Sequence, residues 1–454
     1  MRARAGTTRA CRMKWLLLFA PCLVAGCDRG DGGLPWARQP NVLLVVVDTL
    51  RKDHLQPYGY AARATSPQLQ ELAREAVTVD GLACVSSWTM PSMATLFTGL
   101  TPAQHGVMRM LGEHSRLRAD RTLAQVFRDN GYATACVMSN FLLARRRGVG
   151  FQQGFDVYDD ELALLPDPHQ GSTAQLVADK GIAWLSGQDG SQPYFLVLHF
   201  FDPHASFQDH PQYDFADPQY SGWVQGGLDN DVYREHETAT TEADRRQLAA
   251  YYDEEIRAVD AALGRVLAHL RQRPDWEDTL VVFTADHGEE LGERGHIGHT
   301  QTLHAELVDL PLIVRLPGGF NGGTLRSGAG SQVALYAAIL ALAQVAEPPA
   351  RPELVRLLMQ DAAAGPGPLP VAVFSEVDFT PGRSEHAEKF TRKRAVLRTP
   401  HKLVHDLKTR EVFLYDLAQD PGETRNLAGD PAWSAVQAGL QKLMDEHTWW
   451  EEQP

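Results

Sequence analysis

Three short segments carry residues whose chemistry could converge on one point. In Ser86-Ser87-Trp88-Thr89-Met90-Pro91-Ser92-Met93, a hydroxyl residue stands two before a proline, ahead of an apolar run that closes in Thr98-Gly99. That pattern predicts a helix beginning near Thr89. A threonine there either caps a buried helix or shares the helix's free N–H groups and positive dipole end with a bound anion. The second reading suits a nucleophile that attacks a phosphate or sulfate ester. The run Asn41-Val42-Leu43-Leu44-Val45-Val46-Val47 ends in Asp48, and Thr279-Leu280-Val281-Val282-Phe283-Thr284 runs into Ala285-Asp286-His287. In open α/β sheets ligands sit at the carboxyl ends of strands, so an Asp ending one strand and an Asp-His ending another predict a divalent metal site.

The elements needed to position these groups are legible as alternating strands and helices. The continuous β-branched run 41–49 predicts a central parallel strand buried on both faces, and the apolar runs at 131–138, 194–201 and 279–284 predict further strands. Helices are predicted from a Thr65-Ser66-Pro67 cap to about Glu75, over 122–130, 172–185 and 244–271, and over 333–345. The stretch 205–243 has little periodicity and reads as a long loop lining a cleft. After Gly318 the chain turns Gly-rich, and strand-like runs near 374–376, 394–405 and 412–417 precede a last helix ending about His447. The expected fold is α/β, with a mostly parallel central sheet covered by helices on both faces and a smaller C-terminal antiparallel sheet with a helix. The domain plan is 41–320 for the larger part and 321–454 for the smaller.

Taken together, the Thr89 segment, Thr98-Gly99, Pro102-Ala103-Gln104-His105-Gly106, the Asp48 and Asp286-His287 strands, Asp309 to Arg315 and Gln419-Asp420-Pro421-Gly422-Glu423 resemble the sulfatase family of the alkaline phosphatase superfamily over nearly the whole chain. The resemblance implies an ester hydrolase, and it fails at informative places. Thr89 stands where that family carries the cysteine oxidised to formylglycine, Met93 where it carries an arginine, and Thr49 where it usually has a second acid. Ser139-Asn140-Phe141-Leu142 replaces a Gly-Lys-Trp-His motif, and His299 replaces a lysine. By resemblance, Asp202-Pro203-His204 supplies an active-site histidine, so His204 or His299 would protonate the leaving group. Asn140 would donate to a substrate oxygen or simply turn a loop, and Lys402 would face the cleft or be structural. His199 reads as a satisfied core histidine, and the acids of the 244–271 helix as solvated or buttressing.

The metal ligands expected are Asp48, Thr89, Asp286 and His287, an oxygen-rich set that favours one calcium, magnesium or manganese ion. A zinc pair is the alternative if His204, His299 and Asp202 make a second site. Formylglycine releases sulfate by elimination from its hydrate. Threonine has no second hydroxyl and needs water attack, so phosphate mono- or diesters are favoured over sulfate esters. A small-molecule, glycan or lipid ester is the expected substrate. Three other readings stay open: a non-catalytic binder of sulfated or phosphorylated glycans, a phosphoethanolamine-type transferase, and a sulfatase working through threonine.

A net charge of −14 argues against a nucleic-acid partner, and 44% hydrophobic content is ample for a large core. Met13-Lys14, the apolar run 15–24 and Val24-Ala25-Gly26-Cys27 resemble a bacterial lipoprotein signal over 1–27, with Cys27 lipidated and 28–40 a tether. The expected address is the cell envelope, with the lipid anchor as the only membrane contact. Cys84 and Cys136 would remain, either paired or as buried small hydrophobes.

Overall fold

The computed structural model describes residues 34–165, 173–345, 352–360, 372–380 and 390–451. The expected signal segment with Cys27, and residues 28–33 of the tether, lie outside the described residues. The chain divides into units 1–37 and 38–454, and every strand and helix among the described residues lies in the second. Among the described residues no helix is long and apolar enough to cross a membrane.

The strands are β1 (Asn41–Val47), β2 (Val77–Ala83), β3 (Ala133–Met138), β4 (Val157–Asp159), β5 (Tyr194–Phe200), β6 (Thr279–Ala285), β7 (Glu290–Leu291), β8 (Ile297–Gly298), β9 (Asp309–Arg315), β10 (Thr324–Ser331), β11 (Val373–Phe379), β12 (Thr391–Arg398), β13 (His401–Asp406) and β14 (Val412–Asp416). Among the described residues, eight form one sheet in the order β10-β2-β9-β6-β1-β5-β3-β4. All neighbours in it run parallel except β9, which is antiparallel to both β2 and β6. Every residue of β1, β5 and β6 is buried, as expected where helices cover both faces of a parallel sheet. Because β9 reverses direction, β2, β6, β1, β5 and β3 all point the same way. Their carboxyl ends therefore open on one edge, and that edge collects Thr89, Asp286, Asp48 and Asn140.

The helix Glu242–Arg271 starts in a capping box between Thr241 and Asp244 and packs on the helix Ala174–Ser186. Asp244, Asp253, Glu254, Glu255 and Asp260 are buried rather than solvated, and they buttress. Asp253 takes His54, Tyr60 and Arg63; Glu254 accepts from the backbone of His210, Phe215 and Ala216. Asp260 accepts from Gln68 N at 3.0 Å and Leu69 N at 2.9 Å, so it caps the helix Pro67–Ala73. Ser66, the expected cap, instead receives Gln56 N on its hydroxyl at 2.8 Å. The expected loop 205–243 is mostly irregular but contains a helix, Asn230–His236.

Strands β11 to β14 form an antiparallel four-stranded sheet. Val396, Leu403 and Leu414 of that sheet pack on Leu440 and Met444 of the helix Ser434–Glu446. The small sheet is tied to the end of β2 by Glu376 N to Val85 O at 2.8 Å and Ser375 Oγ to Cys84 O at 2.6 Å. Cys84 and Cys136 are buried free thiols, not a disulfide.

Candidate active site

Thr89 is the first residue of the helix Thr89–Thr98, entered from Trp88 in extended conformation (φ −162°, ψ 160°). Its hydroxyl faces the sheet edge. Oγ1 lies 3.4 Å from His287 Nε2 and 3.4 Å from Asn140 Nδ2. His287 Nδ1 is 2.9 Å from the Gly288 carbonyl, which assigns the proton to Nδ1 and turns the Nε2 lone pair inward. Around that lone pair stand Asp48 Oδ1 at 3.5 Å and Asp286 Oδ2 at 3.6 Å. Burial keeps His287 neutral by lowering its pKa, the form that binds a metal.

The two carboxylates are fully buried. Burial first, and the neighbouring Asp286 second, hold Asp48 well above the usual carboxylate range, against the opposing bond from Asn140. Asp48 Oδ2 accepts from Asn140 Nδ2 and Asp286 Oδ1 from His287 N at 2.8 Å, while Asp48 Oδ1 and Asp286 Oδ2 receive no hydrogen bond. Thr49 follows Asp48 with φ 54°, a costly conformation for a β-branched residue, and its Oγ1 is also buried without a partner. Paired buried acids with orphaned oxygens are expensive unless a cation meets them. The donor set fits a divalent ion.

His199 belongs to this cluster and corrects the sequence reading. It is fully buried on β5 opposite Val46, both ring nitrogens lack a partner, and ligand atoms of Asp48, His199 and Asp286 lie within 4.8 Å of one another. Burial lowers its pKa to about 4, so it too is a neutral nitrogen donor. Sequence reasoning also passed over Glu289, fully buried, whose Oε1 is 2.7 Å from His299 Nδ1. His299 packs on His287 with ring centroids 4.6 Å apart and edge-on to His204 at 4.9 Å, so both histidines border the cluster. His204 Nδ1 is bonded to the Ala205 carbonyl, and its ring stacks on Phe201.

Two expected residues stand elsewhere. The Lys402 ammonium is buried against Glu423 Oε1 at 2.7 Å and the Leu303 carbonyl at 2.5 Å, an internal ion pair rather than an open substrate contact. The Asp202 carboxylate accepts from Thr173 N and Oγ1 at 3.0 to 3.2 Å, so it does not join His204 and His299 in a second metal site. Asn140 is committed on both sides, its Oδ1 accepting from Leu142 N at 2.7 Å. It therefore positions Asp48 and Thr89 and also turns the loop.

A hydroxyl at a helix N-terminus, aimed at a buried acid and imidazole cluster on the carboxyl edge of a parallel sheet, defines an ester hydrolase of the metal-assisted kind. The model of the Sulfatase family matches residues 40–345, and the chain belongs to that family. A multifunctional alkaline phosphatase superfamily protein, PehA, from Trinickia caryophylli is 26% identical, over 87% of this chain and 92% of the relative. An N-acetylglucosamine-6-O-sulfatase from Bacteroides thetaiotaomicron is 22% identical over 90% and 86%. The crystal structure of a phosphonate monoester hydrolase of Agrobacterium radiobacter superposes with a TM-score of 0.71, at 24% identity over 89% of this chain and 95% of that one.

Proposed function

We propose that this chain hydrolyses phosphate mono- or diesters with Thr89 as the nucleophile. The observation that carries the reading is Thr89 Oγ1 held 3.4 Å from both His287 and Asn140, beside Asp48 and Asp286. Asp48, Asp286, His287 and Thr89 would hold a divalent cation, with His199 adjoining. Such a cation, when bound, acidifies a hydroxyl and offsets ester charge. A calcium, magnesium or manganese ion suits the carboxylates; two neutral imidazoles add a preference for manganese among these. With Asp202 turned onto Thr173, a single ion is favoured over a zinc pair.

Thr89 Oγ1 gives up its proton to solvent and forms a bond to phosphorus as the ester's leaving oxygen departs and takes a proton from His299 Nε2, the nitrogen left free by the Glu289 bond to Nδ1. Asn140 keeps the hydroxyl in line. The neutral His299 then accepts a proton from the water that attacks the phosphorylated threonine, and the departing Thr89 oxygen takes a proton back from solvent, which releases phosphate, or a phosphate monoester from a diester, and restores the Thr89 hydroxyl. Sulfated threonine lacks the elimination route open to formylglycine. A relative named for the alkaline phosphatase superfamily and a phosphonate monoester hydrolase neighbour support phosphorus chemistry.

Matched aryl phosphate, aryl phosphodiester and aryl sulfate, assayed with calcium, manganese or zinc beside Thr89→Ala, test this reading. Phosphoester turnover that vanishes in the variant is expected; turnover of the sulfate alone, or activity retained by Thr89→Ala, overturns it. The lipobox-like Val24-Ala25-Gly26-Cys27 supports an exported lipoprotein of the cell envelope. Lipid labelling in cells that is lost in Cys27→Ser is the expected result.

A further inference from the structure

A second concave site lies between the segment 103–118 and the C-terminal tail, a cavity of about 790 Å³ that includes none of the ester-site residues. Its walls include His447, Trp449 and Trp450, and these rings are fixed from behind. His447 stacks on Phe374 with centroids 3.9 Å apart, and Trp449 Nε1 donates to the Met444 carbonyl at 2.8 Å. The Arg394 guanidinium lies 5.2 Å from the Trp449 ring and that of Arg109 4.6 Å from the Trp450 ring. Rings held this way cost little entropy to engage a ligand.

The polar groups of the cavity are unbalanced toward donors. Arg118 is exposed, and its guanidinium has no hydrogen-bond or ion-pair partner among the described residues. His114 Nδ1 is buried, with its ring edge against Trp450, and has no partner. Of the two acids in the lining, Glu451 pairs with Arg394 Nη2 at 3.3 Å, and Asp445, which is exposed, accepts from the Gln441 amide Nε2 at 2.8 Å. Beside the cavity, Leu117 N to Val149 O at 2.9 Å and Arg147 Nη2 to the Met110 carbonyl at 3.4 Å tie this segment to the run Arg145-Arg146-Arg147. Arg145 is paired with Asp160, Arg394 with Glu451 and Arg109 with Asp378, so in a chain of net charge −14 Arg118 is the cavity's own arginine without an acid partner among the described residues.

We propose that this cavity binds an anionic carbohydrate, with a sugar ring laid against the Trp449 wall and its sulfate, phosphate or carboxylate group on Arg118 and His114. The apolar C–H face of a pyranose complements the electron-rich face of an indole, and arginine offers a fork matched to oxyanions. A bilayer surface would need protruding rings, whereas Trp450 is only 4% exposed. The inference goes beyond the hydrolase reading and stands on groups that reading does not use. The site also has a physical link to the ester site: Gly106 lines the cavity, and its neighbour His105 is bonded through Nε2 to Thr95 on the Thr89–Thr98 helix at 3.1 Å.

Calorimetric titration of the purified chain with a heparin hexasaccharide tests it, beside uncharged cellohexaose and phosphatidylglycerol vesicles. The hexasaccharide should bind, more weakly as salt rises, and cellohexaose should not. Arg118→Glu should weaken binding about tenfold or more, the scale of one lost charged hydrogen bond, while Arg118→Lys retains most of it. Trp449→Phe should weaken it less than Trp449→Ala. Aryl-ester turnover in Arg118→Glu should equal that of the unsubstituted chain, which separates this site from the ester site; a chain without turnover still reports binding. No hexasaccharide binding, unchanged affinity in Arg118→Glu, or binding of the vesicles alone overturns the proposal.

Discussion

Removing one carboxylate from the Asp48–Asp286 pair should strengthen the metal-free protein and abolish its response to metal. With no cation, two buried acids repel one another and Asp48 is held toward its neutral form. Asp286→Asn keeps the shape and removes that repulsion, so the variant in chelator should melt above the unsubstituted chain in chelator. A cation at about 100 times its Kd stabilises a folded protein by about 2.7 kcal/mol. Unfolding entropy near 60 °C is about 2.1 cal/mol/K per residue, which over 454 residues makes the expected shift about 3 °C. Differential scanning fluorimetry in chelator, then with calcium, magnesium or manganese, reads both effects. The reasoning is refuted if no cation raises the melting temperature of the unsubstituted chain, or if Asp286→Asn responds to metal as fully as the parent.

Glu376 should make stability fall in mild alkali. Burial pushes its carboxyl up to about 8, against the Trp450 N–H bond and Arg394, with Asp378 adding to the rise and Arg392 opposing it. A group raised in the folded state stabilises fully below its unfolded value near 4.5 and loses that contribution as pH rises through about 8. Urea unfolding at pH 7 and pH 9 should therefore show a loss of about 1 kcal/mol that Glu376→Gln removes; an equal loss in the variant would contradict the assignment. His299→Ala should lower kcat/KM for alkyl esters by about 10²–10⁴-fold and for nitrophenyl esters far less, because a good leaving group needs no proton. Equal losses on both would remove His299 from that role.

The strands that carry Asp48 and Asp286-His287 were readable because burial on both faces demands unbroken β-branched runs, and Thr89 because a helix start has its own grammar of hydroxyl and proline. The same logic hid His199. Inside a strand buried on both faces, a histidine that meets ligands and one that is merely enclosed have the same neighbours in sequence, and only the register of β1 against β5 brings it beneath Asp48. Strand direction was equally silent: Asp309–Arg315 is as apolar as its parallel neighbours, yet it runs antiparallel to β2 and β6. Partners distant in sequence decided the rest. Glu423 claims Lys402 and Thr173 claims Asp202, while Asp260 caps a helix 191 residues away. None of these has a local signature.

The stereochemical course at phosphorus tests the central claim most directly. Hydrolysis, in water of a third oxygen isotope, of a phosphodiester made chiral at phosphorus by the other two gives a chiral monoester with net retention if Thr89 attacks and water then displaces it, since two in-line displacements invert twice. Retention, with turnover absent in Thr89→Ala, is the predicted result. Net inversion would mean that water attacks the ester directly and that Thr89 is no nucleophile.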